Sequence, residues 1–261
     1  MENKEQLLKN DPSRFVVYQM IEYFKEKIGA DIVTQKTKNL FLIKTQPYID
    51  SLYNYAHVLQ KDLDESGIAL METFFQNAPF RVKTFQSPKI HQLFINSGFK
   101  LKDSSCNMEN LSLLNQDLSF NLPEGVEIKE VSSPQELQSI KDIFAASFNH
   151  EVSDYNRKFG FFDSSILDRN NNHVGAFLLY ENGQPVSSGT YYAFDYFSIE
   201  NIGTLSSARK KGYAGMILKT LLQKAKSLEY TKACLVASEL GISVYEKAGF
   251  SILDKNYTFI K

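Results

Sequence analysis

The sequence predicts a mixed α/β chain (α+β) of two tandem domains, each a mostly antiparallel twisted sheet flanked by helices. Three observations predict it. The last half alternates strand-like and helix-like segments in the order β-α-α-β-β-β-α-β-α-β; a small-residue, cationic loop lies between a strand and a helix; and the first half contains segments that can be laid on the last. At 261 residues, 43% of them hydrophobic, the chain is long enough for two domains with real cores. The expected division is 1–118 and 119–261.

The second domain starts after Pro123 and Gly125, which break local structure. A strand is expected over 126–131. Ser133-Pro134-Gln135-Glu136 then combines an N-cap, a proline at the first helical position and a capping-box glutamate, and Leu137, Ile140, Phe144 and Phe148 follow on one helical face. A looser, aromatic-rich helix is expected over 154–162. Strands at 174–180 and 186–194 are joined by Glu181-Asn182-Gly183-Gln184, whose Asn-Gly pair favours a hairpin. A strand over 197–205 leads into the cationic loop, and a helix over 216–228 buries Ile217, Leu221, Ala225 and Leu228. A short apolar strand at 233–237, a brief helix through Tyr245 and a closing strand at 251–260 complete the order.

The loop is Arg209-Lys210-Lys211-Gly212-Tyr213-Ala214-Gly215. Gly212, Ala214 and Gly215 let the backbone turn closely around a ligand, a helix starting there presents free N–H groups and its positive dipole end, and three cations supply matching charge for a pyrophosphate. The spacing is neither that of a P-loop nor that of the dinucleotide fingerprint. What remains, R-x-x-G-x-A, resembles the Q/R-x-x-G-x-G/A motif of the GNAT superfamily of N-acetyltransferases. On one side Asn201-Ile202-Gly203-Thr204-Leu205 looks like the fourth strand of that fold. On the other, Ser243-Val244-Tyr245-Glu246-Lys247-Ala248-Gly249-Phe250 looks like its terminal Tyr…Gly-Phe segment. The order of elements is that of the family, so the resemblance covers about the last half of the chain.

The resemblance implies acetyl-CoA as cosubstrate and no metal. It implies a pyrophosphate held by Arg209 and the N–H groups of Lys210, Lys211, Gly212, Tyr213, Ala214 and Gly215, and a pantetheine arm lying along the main chain of Ile202, Gly203 and Thr204, where Gly203 has no side chain to obstruct it. Tyr245 matches the family tyrosine that hydrogen-bonds the departing thiolate and acts as general acid, since a phenol near pKa ~10 can give a proton to a thiolate near ~8.5. Glu200 lies where some members carry a base acting through water; strand alternation puts it on the face opposite Asn201. Glu239 is a weaker second base. Ser238 stands where relatives often have an asparagine seven positions before the tyrosine, and it reaches less far.

The first half repeats the plan in degenerate form. Residues 52–58 can be laid on 199–205 with Asn54 against Asn201, and 93–99 on 244–250 with Phe94 against Tyr245, which removes a hydroxyl. The loop position, Asp62-Leu63-Asp64-Glu65-Ser66-Gly67, is acidic where a pyrophosphate needs cations. This half is expected to bind no cofactor; with Asn77-Ala78-Pro79-Phe80 and Gly98-Phe99 it looks like bacterial two-domain members of the family. It would wall the acceptor cleft, stabilise the chain or make a homodimer.

The remaining composition narrows the field. A formal net charge of -1 gives no basic field for nucleic acid. Two cysteines, Cys106 and Cys234, make neither a metal pattern nor a disulfide framework and suit a reducing cytoplasm. Neither a signal peptide nor an apolar run of membrane-spanning length is visible. His57, His91, His150 and His173 lie in no metal spacing, and no G-x-S-x-G elbow supports hydrolase chemistry. The acceptor is expected to be the primary amine of a small molecule, entering over the first two helices and the hairpin. Phe148, Tyr155, Phe159, Phe161, Phe162, Tyr191 and Tyr192 lie there, most of them as core. Two alternatives stand beside this reading: a peptide or protein N-terminal acetyltransferase with an open groove, and a CoA-binding sensor without turnover.

Overall fold

A computed structural model describes residues 12–28, 32–45, 54–76, 78–149, 151, 163–168 and 170–261. The chain divides into two compact units that do not follow a simple cut in sequence. One comprises Met1–Asp11, Ile21–Asn107 and Ile252–Lys261, the other Pro12–Met20 and Met108–Ser251. Helix α1, Pro12–Ile28, contributes to both by its two ends.

In the first unit, strands β1 (Ile32–Lys36), β2 (Leu40–Thr45), β3 (Tyr55–Val58) and β4 (Arg81–Phe85) stand in that order. Helix α2, Glu65–Phe75, makes the crossover between β3 and β4, which pair in parallel. Helix α3, Pro88–Asn96, starts on an N-cap from Ser87 with proline in its first turn and is followed by β5, Lys100–Asn110. The apolar faces of these elements meet in one core of Leu40, Met71, Phe75, Val82, Phe94 and Phe259 with their neighbours. Phe259 comes from the last strand of the chain. The closing strand, Ser251–Ile260, pairs antiparallel with β4, Ile260 against Arg81 and Asn256 against Phe85. Asn256 Nδ2 donates to Asn107 Oδ1 at 2.5 Å within this unit.

The second unit follows the expected order closely. After β6 (Val126–Glu130), helix α4 (Pro134–Phe148) opens on the anticipated capping box: Ser133 Oγ accepts from the Glu136 N–H while the Glu136 carboxylate accepts from the Ser132 N–H at 2.9 Å. The looser helix expected over 154–162 lies outside the described residues, as do Tyr155, Phe159, Phe161, Phe162 and His150; a short helix α5, Asp163–Leu167, is described after them. Strands β7 (Val174–Glu181) and β8 (Gln184–Ala193) form the hairpin, with Asn182 and Gly183 both at positive φ, 51° and 78°. Strand β9, Phe197–Thr204, pairs antiparallel with β8; helix α6, Tyr213–Ser227, carries the chain over to β10, Ala233–Ala237, parallel to β9. Helix α7, Ile242–Lys247, precedes β11, the closing strand. α6 buries Ile217, Leu221 and Ala225, and it approaches β8 so closely that a Cβ on Gly189 would stand 2.7 Å from Ile217 Cγ2. Tyr191 and Tyr192 are core residues, whereas Phe148 is exposed with its ring 4.9 Å from Phe144.

Candidate active site

Two local features open the second unit at one place. The first is a β-bulge in β9. Ser188 faces Gly203 and Thr190 faces Glu200, so Gly189 alone opposes both Asn201 and Ile202. Asn201 takes the left-handed conformation, φ 54°, which asparagine tolerates better than most side chains. The bulge is stapled from β8: Asn201 Nδ2 donates to Thr190 Oγ1 at 3.2 Å, and that hydroxyl donates to the Glu200 carbonyl at 3.1 Å. Simple alternation across Glu200 and Asn201, assumed from the sequence, therefore does not apply, because the extra residue breaks the period of two. The second feature is the end of the β9–β10 register at Ile199 and Leu235. Just beyond it, Val236 is 38% exposed between two buried neighbours.

The N-terminus of α6 follows. Its N-cap is Gly212, in the left-handed conformation with φ 83° and no side chain to cap the helix, so the first-turn N–H groups keep no side-chain acceptor. A Cβ added to Gly212 or to Gly215 would meet no heavy atom within 4 Å. Neither glycine is demanded by neighbouring protein, and the space beside them suits an anion drawn by the helix end. The three cations divide their work. Lys210 is exposed at φ 65°, and Arg209 Nε donates to the Thr204 carbonyl at 3.1 Å, closing the loop. Lys211 is committed elsewhere: its Nζ lies 2.7 Å from Glu181 Oε1, and the Tyr213 hydroxyl donates to the same oxygen at 2.5 Å. Lys211 first and Tyr213 second hold the Glu181 carboxyl below the usual carboxylate range. The hairpin anchors the loop through a residue the sequence did not single out.

Burial, and then the charge of Glu200, push the Tyr245 phenol up from 10.0 to about 12. Ser198, fully buried two residues before Glu200, donates from Oγ to Glu200 Oε1 at 2.6 Å. The Tyr245 ring packs edge-on to Phe250, centroids 6.2 Å apart, and close against Gly241, where a Cβ would stand 2.7 Å from ring Cε2. Ser238 is exposed and its carbonyl accepts from the Gly241 N–H at 2.9 Å. Glu239 is exposed as well.

Gly203 is packed closely against helix α4: a Cβ there would meet Ser147 Oγ at 2.8 Å and Ser147 Cβ at 3.0 Å. The Gly203 carbonyl accepts from Ser187 Oγ at 2.8 Å, and Ser187 Oγ also lies 2.8 Å from the Thr204 hydroxyl. The Ile202 side chain is on the other face, where its Cγ1 would lie 3.2 Å from a Cβ on Gly189 beside Ile217 and Leu221. Ser187, Thr190, Ser198 and Glu181 escaped sequence reasoning; the one signal available was the run of small polar residues 187–190 inside a strand.

The corresponding place in the first unit is built differently. Helix α2 is capped by Asp64, whose carboxylate accepts from the N–H groups of Ser66 and Gly67, and a Cβ on Gly67 would collide with Leu63 Cδ1 at 2.4 Å. The anion position is filled by the chain's own carboxylate. Asn54 is buried and donates to the Pro79 carbonyl at 3.0 Å, and Phe94 is wholly inside the core, in edge contact with Phe99. Among the described residues no group of three or more His, Cys, Asp and Glu side chains is arranged to hold a metal ion, and no helix is long and apolar enough to cross a membrane.

A bulged strand parting from its parallel neighbour thus lies beside a helix N-terminus that has no side-chain cap. Residues 137–250 match the family described as "Acetyltransferase (GNAT) family". Solved structures are similar over nearly the whole length. A GCN5-related N-acetyltransferase from Kribbella flavida superposes with a TM-score of 0.70 at 14% identity, covering 95% of this chain and 94% of that one. A GCN5-related N-acetyltransferase from Sphaerobacter thermophilus gives 0.67 at 14% identity over 93% and 84%. A tandem GNAT protein from the clavulanic acid biosynthesis pathway gives 0.58 at 12% identity over 85% and 78%. At these identities the likeness is one of fold. No curated protein matches the sequence.

Proposed function

We propose that this acetyltransferase moves an acetyl group from acetyl-CoA to the primary amine of a small molecule by direct transfer in a ternary complex. The observation that carries the reading is the uncapped start of α6 with open space at Gly212 and Gly215, next to the place where the β9–β10 register ends; the Tyr245 phenol there feels the charge of Glu200. The residues fit the cosubstrate: Gly212 and Gly215 leave open space, the first-turn N–H groups of α6 lack a side-chain acceptor, and Lys210 is exposed.

Acetyl-CoA supplies a thioester carbonyl carbon that the amine attacks, with departure of the CoA thiolate. The loop of residues 209–215 holds the diphosphate by main-chain N–H groups and Lys210. Glu200, its Oε1 fixed by Ser198, takes the proton released by the amine, directly or through one water. Tyr245 stays protonated far above neutral pH and gives its proton to the thiolate; solvent then restores it. In this reading residues 119–261 hold cosubstrate and catalytic groups, and residues 1–118, whose helix α2 is capped by Asp64, bind no CoA. The two buried thiols, Cys106 and Cys234, suit a reducing cytoplasm.

The test is a thermal-shift titration with acetyl-CoA and with CoA, comparing wild type with Gly212→Glu. At a thousandfold excess over Kd, binding to the native state adds about 4 kcal/mol of stability. A shift in wild type that is lost in Gly212→Glu supports the cradle, and thiol release is then measured across a panel of primary amines. No shift in wild type sinks the reading.

A further inference from the structure

Helix α7 carries Tyr245, yet it has little to hold it. It is six residues long, none of its residues is buried, and its N-cap, Gly241, offers no side-chain cap. A helix of this length does not persist on local hydrogen bonds alone. Its C-terminal end is where the fixed contacts gather. The carbonyl of Ala248 accepts two amide donors, Asn110 Nδ2 at 3.1 Å and Gln116 Nε2 at 3.1 Å. The two amides also join each other, Asn110 Nδ2 donating to Gln116 Oε1 at 2.9 Å, and Asn110 Oδ1 accepts from the Ser112 N–H at 3.1 Å. Asn110 is fully buried, and every hydrogen-bonding atom of its side chain has a partner. Gly249 completes the arrangement: at φ 83°, it is so close to Gln116 that a Cβ would stand 1.8 Å from Nε2. The next residue, Phe250, is buried, and its N–H donates to the Tyr245 carbonyl at 3.1 Å.

We infer that Asn110 and Gln116, at the end of β5 and just beyond it, form an amide clamp on the C-terminus of α7 and are positioning residues for Tyr245. Neither touches the reacting groups. They act by fixing the carbonyl of Ala248, the C-cap residue, so the half-buried Tyr245 keeps its place on a helix that has no fully buried residue. The inference rests on the proposed role of Tyr245 for its catalytic meaning, while the clamp itself is measurable without any acceptor.

The experiment uses the full chain. Amide hydrogen exchange is followed for residues 242–250 and for α6 in wild type, Gln116→Met and Gln116→Glu. In the same proteins carrying ¹³Cζ-labelled tyrosine, the Tyr245 signal is assigned by its loss in Tyr245→Phe. Gln116→Met removes donor and acceptor at nearly constant volume; exchange at 242–250 should rise about tenfold or more with α6 unchanged, and the Tyr245 signal should move towards that of an exposed tyrosine. Gln116→Glu keeps the acceptor for Asn110 but sets a carboxylate oxygen against the Ala248 carbonyl, so an effect at least as large is expected. Asn110→Ala is the harsher variant, and because Asn110 is buried Gln116→Met decides the matter if Asn110→Ala does not fold. Unchanged exchange and an unmoved Tyr245 signal in Gln116→Met overturn the inference. Unchanged thiol release in Tyr245→Phe overturns instead the catalytic reading of Tyr245, a separate failure.

Discussion

Ser198 Oγ donates a 2.6 Å hydrogen bond to Glu200 Oε1 across two residues of one strand, from a fully buried position. A hydrogen bond to a charged acceptor contributes about 1.5–3 kcal/mol. Ser198→Ala should therefore lower the rate of acetyl transfer by about tenfold or more with little change in acetyl-CoA affinity, and Ser198→Thr should restore most of it. Steady-state kinetics with the best amine of the panel measure this; equal loss in Ala and Thr variants would mean that packing, not the hydroxyl, matters.

Tyr245→Phe removes the proton donor and keeps the ring against Gly241 and Phe250. The expected result is a fall in kcat of about 10²-fold or more, with an unchanged acetyl-CoA thermal shift. The raised phenol pKa also gives a pH dependence of stability. A folded-state value of about 12 against 10.0 means the neutral phenol is favoured in the native state, so its contribution is complete below 10 and is lost as pH rises from 10 to 12. Wild type should lose more stability than Tyr245→Phe between pH 9.5 and 11.5 in urea titrations, roughly the window set by those two values.

Lys210 and Lys211 are adjacent in sequence and unequal in place. Lys211 is paired with Glu181, whereas Lys210 is exposed. Lys210→Ala should weaken CoA binding more than Lys211→Ala does, and the difference should shrink as salt screens the exposed charge. Isothermal titration at two ionic strengths distinguishes them; equal losses would show that the Glu181 pair opens to the ligand.

Gly203→Ala brings a Cβ to 2.8 Å from Ser147 Oγ and 3.0 Å from its Cβ. Overpacking of this kind costs about 1–3 kcal/mol. A lower melting temperature is expected; an unchanged melting temperature with weaker acetyl-CoA binding would support the ligand-facing role that the sequence suggested.

Asp64→Ala removes the cap of α2 and should cost about 1 kcal/mol of stability without creating a second CoA site, since Gly67 is packed against Leu63 and Leu40. A binding stoichiometry of one CoA per chain in this variant is the expected titration result.

What the sequence determined by itself are the elements and the chemistry of the loop. Capping boxes, the Asn-Gly turn and the period of apolar residues are local signals, and Ser133, Asn182, Gly183 and Gly212 act within a few residues of themselves. The contrast between an acidic and a cationic loop was equally legible, and Asp64 capping α2 gives it a physical form. Only the tertiary structure decided the rest, because it depends on which distant residues meet. The bulge at Asn201 breaks an alternation that the residue types alone do not betray. Gly203 is packed against Ser147 of helix α4, Lys211 is drawn to Glu181 thirty positions away, and the closing strand joins β4 rather than an element of its own half. Tyr245 stands where it does because amides from Asn110 and Gln116, more than a hundred and thirty residues from Ala248, close on one carbonyl, and hydrogen bonds at that separation leave no period or motif in the chain.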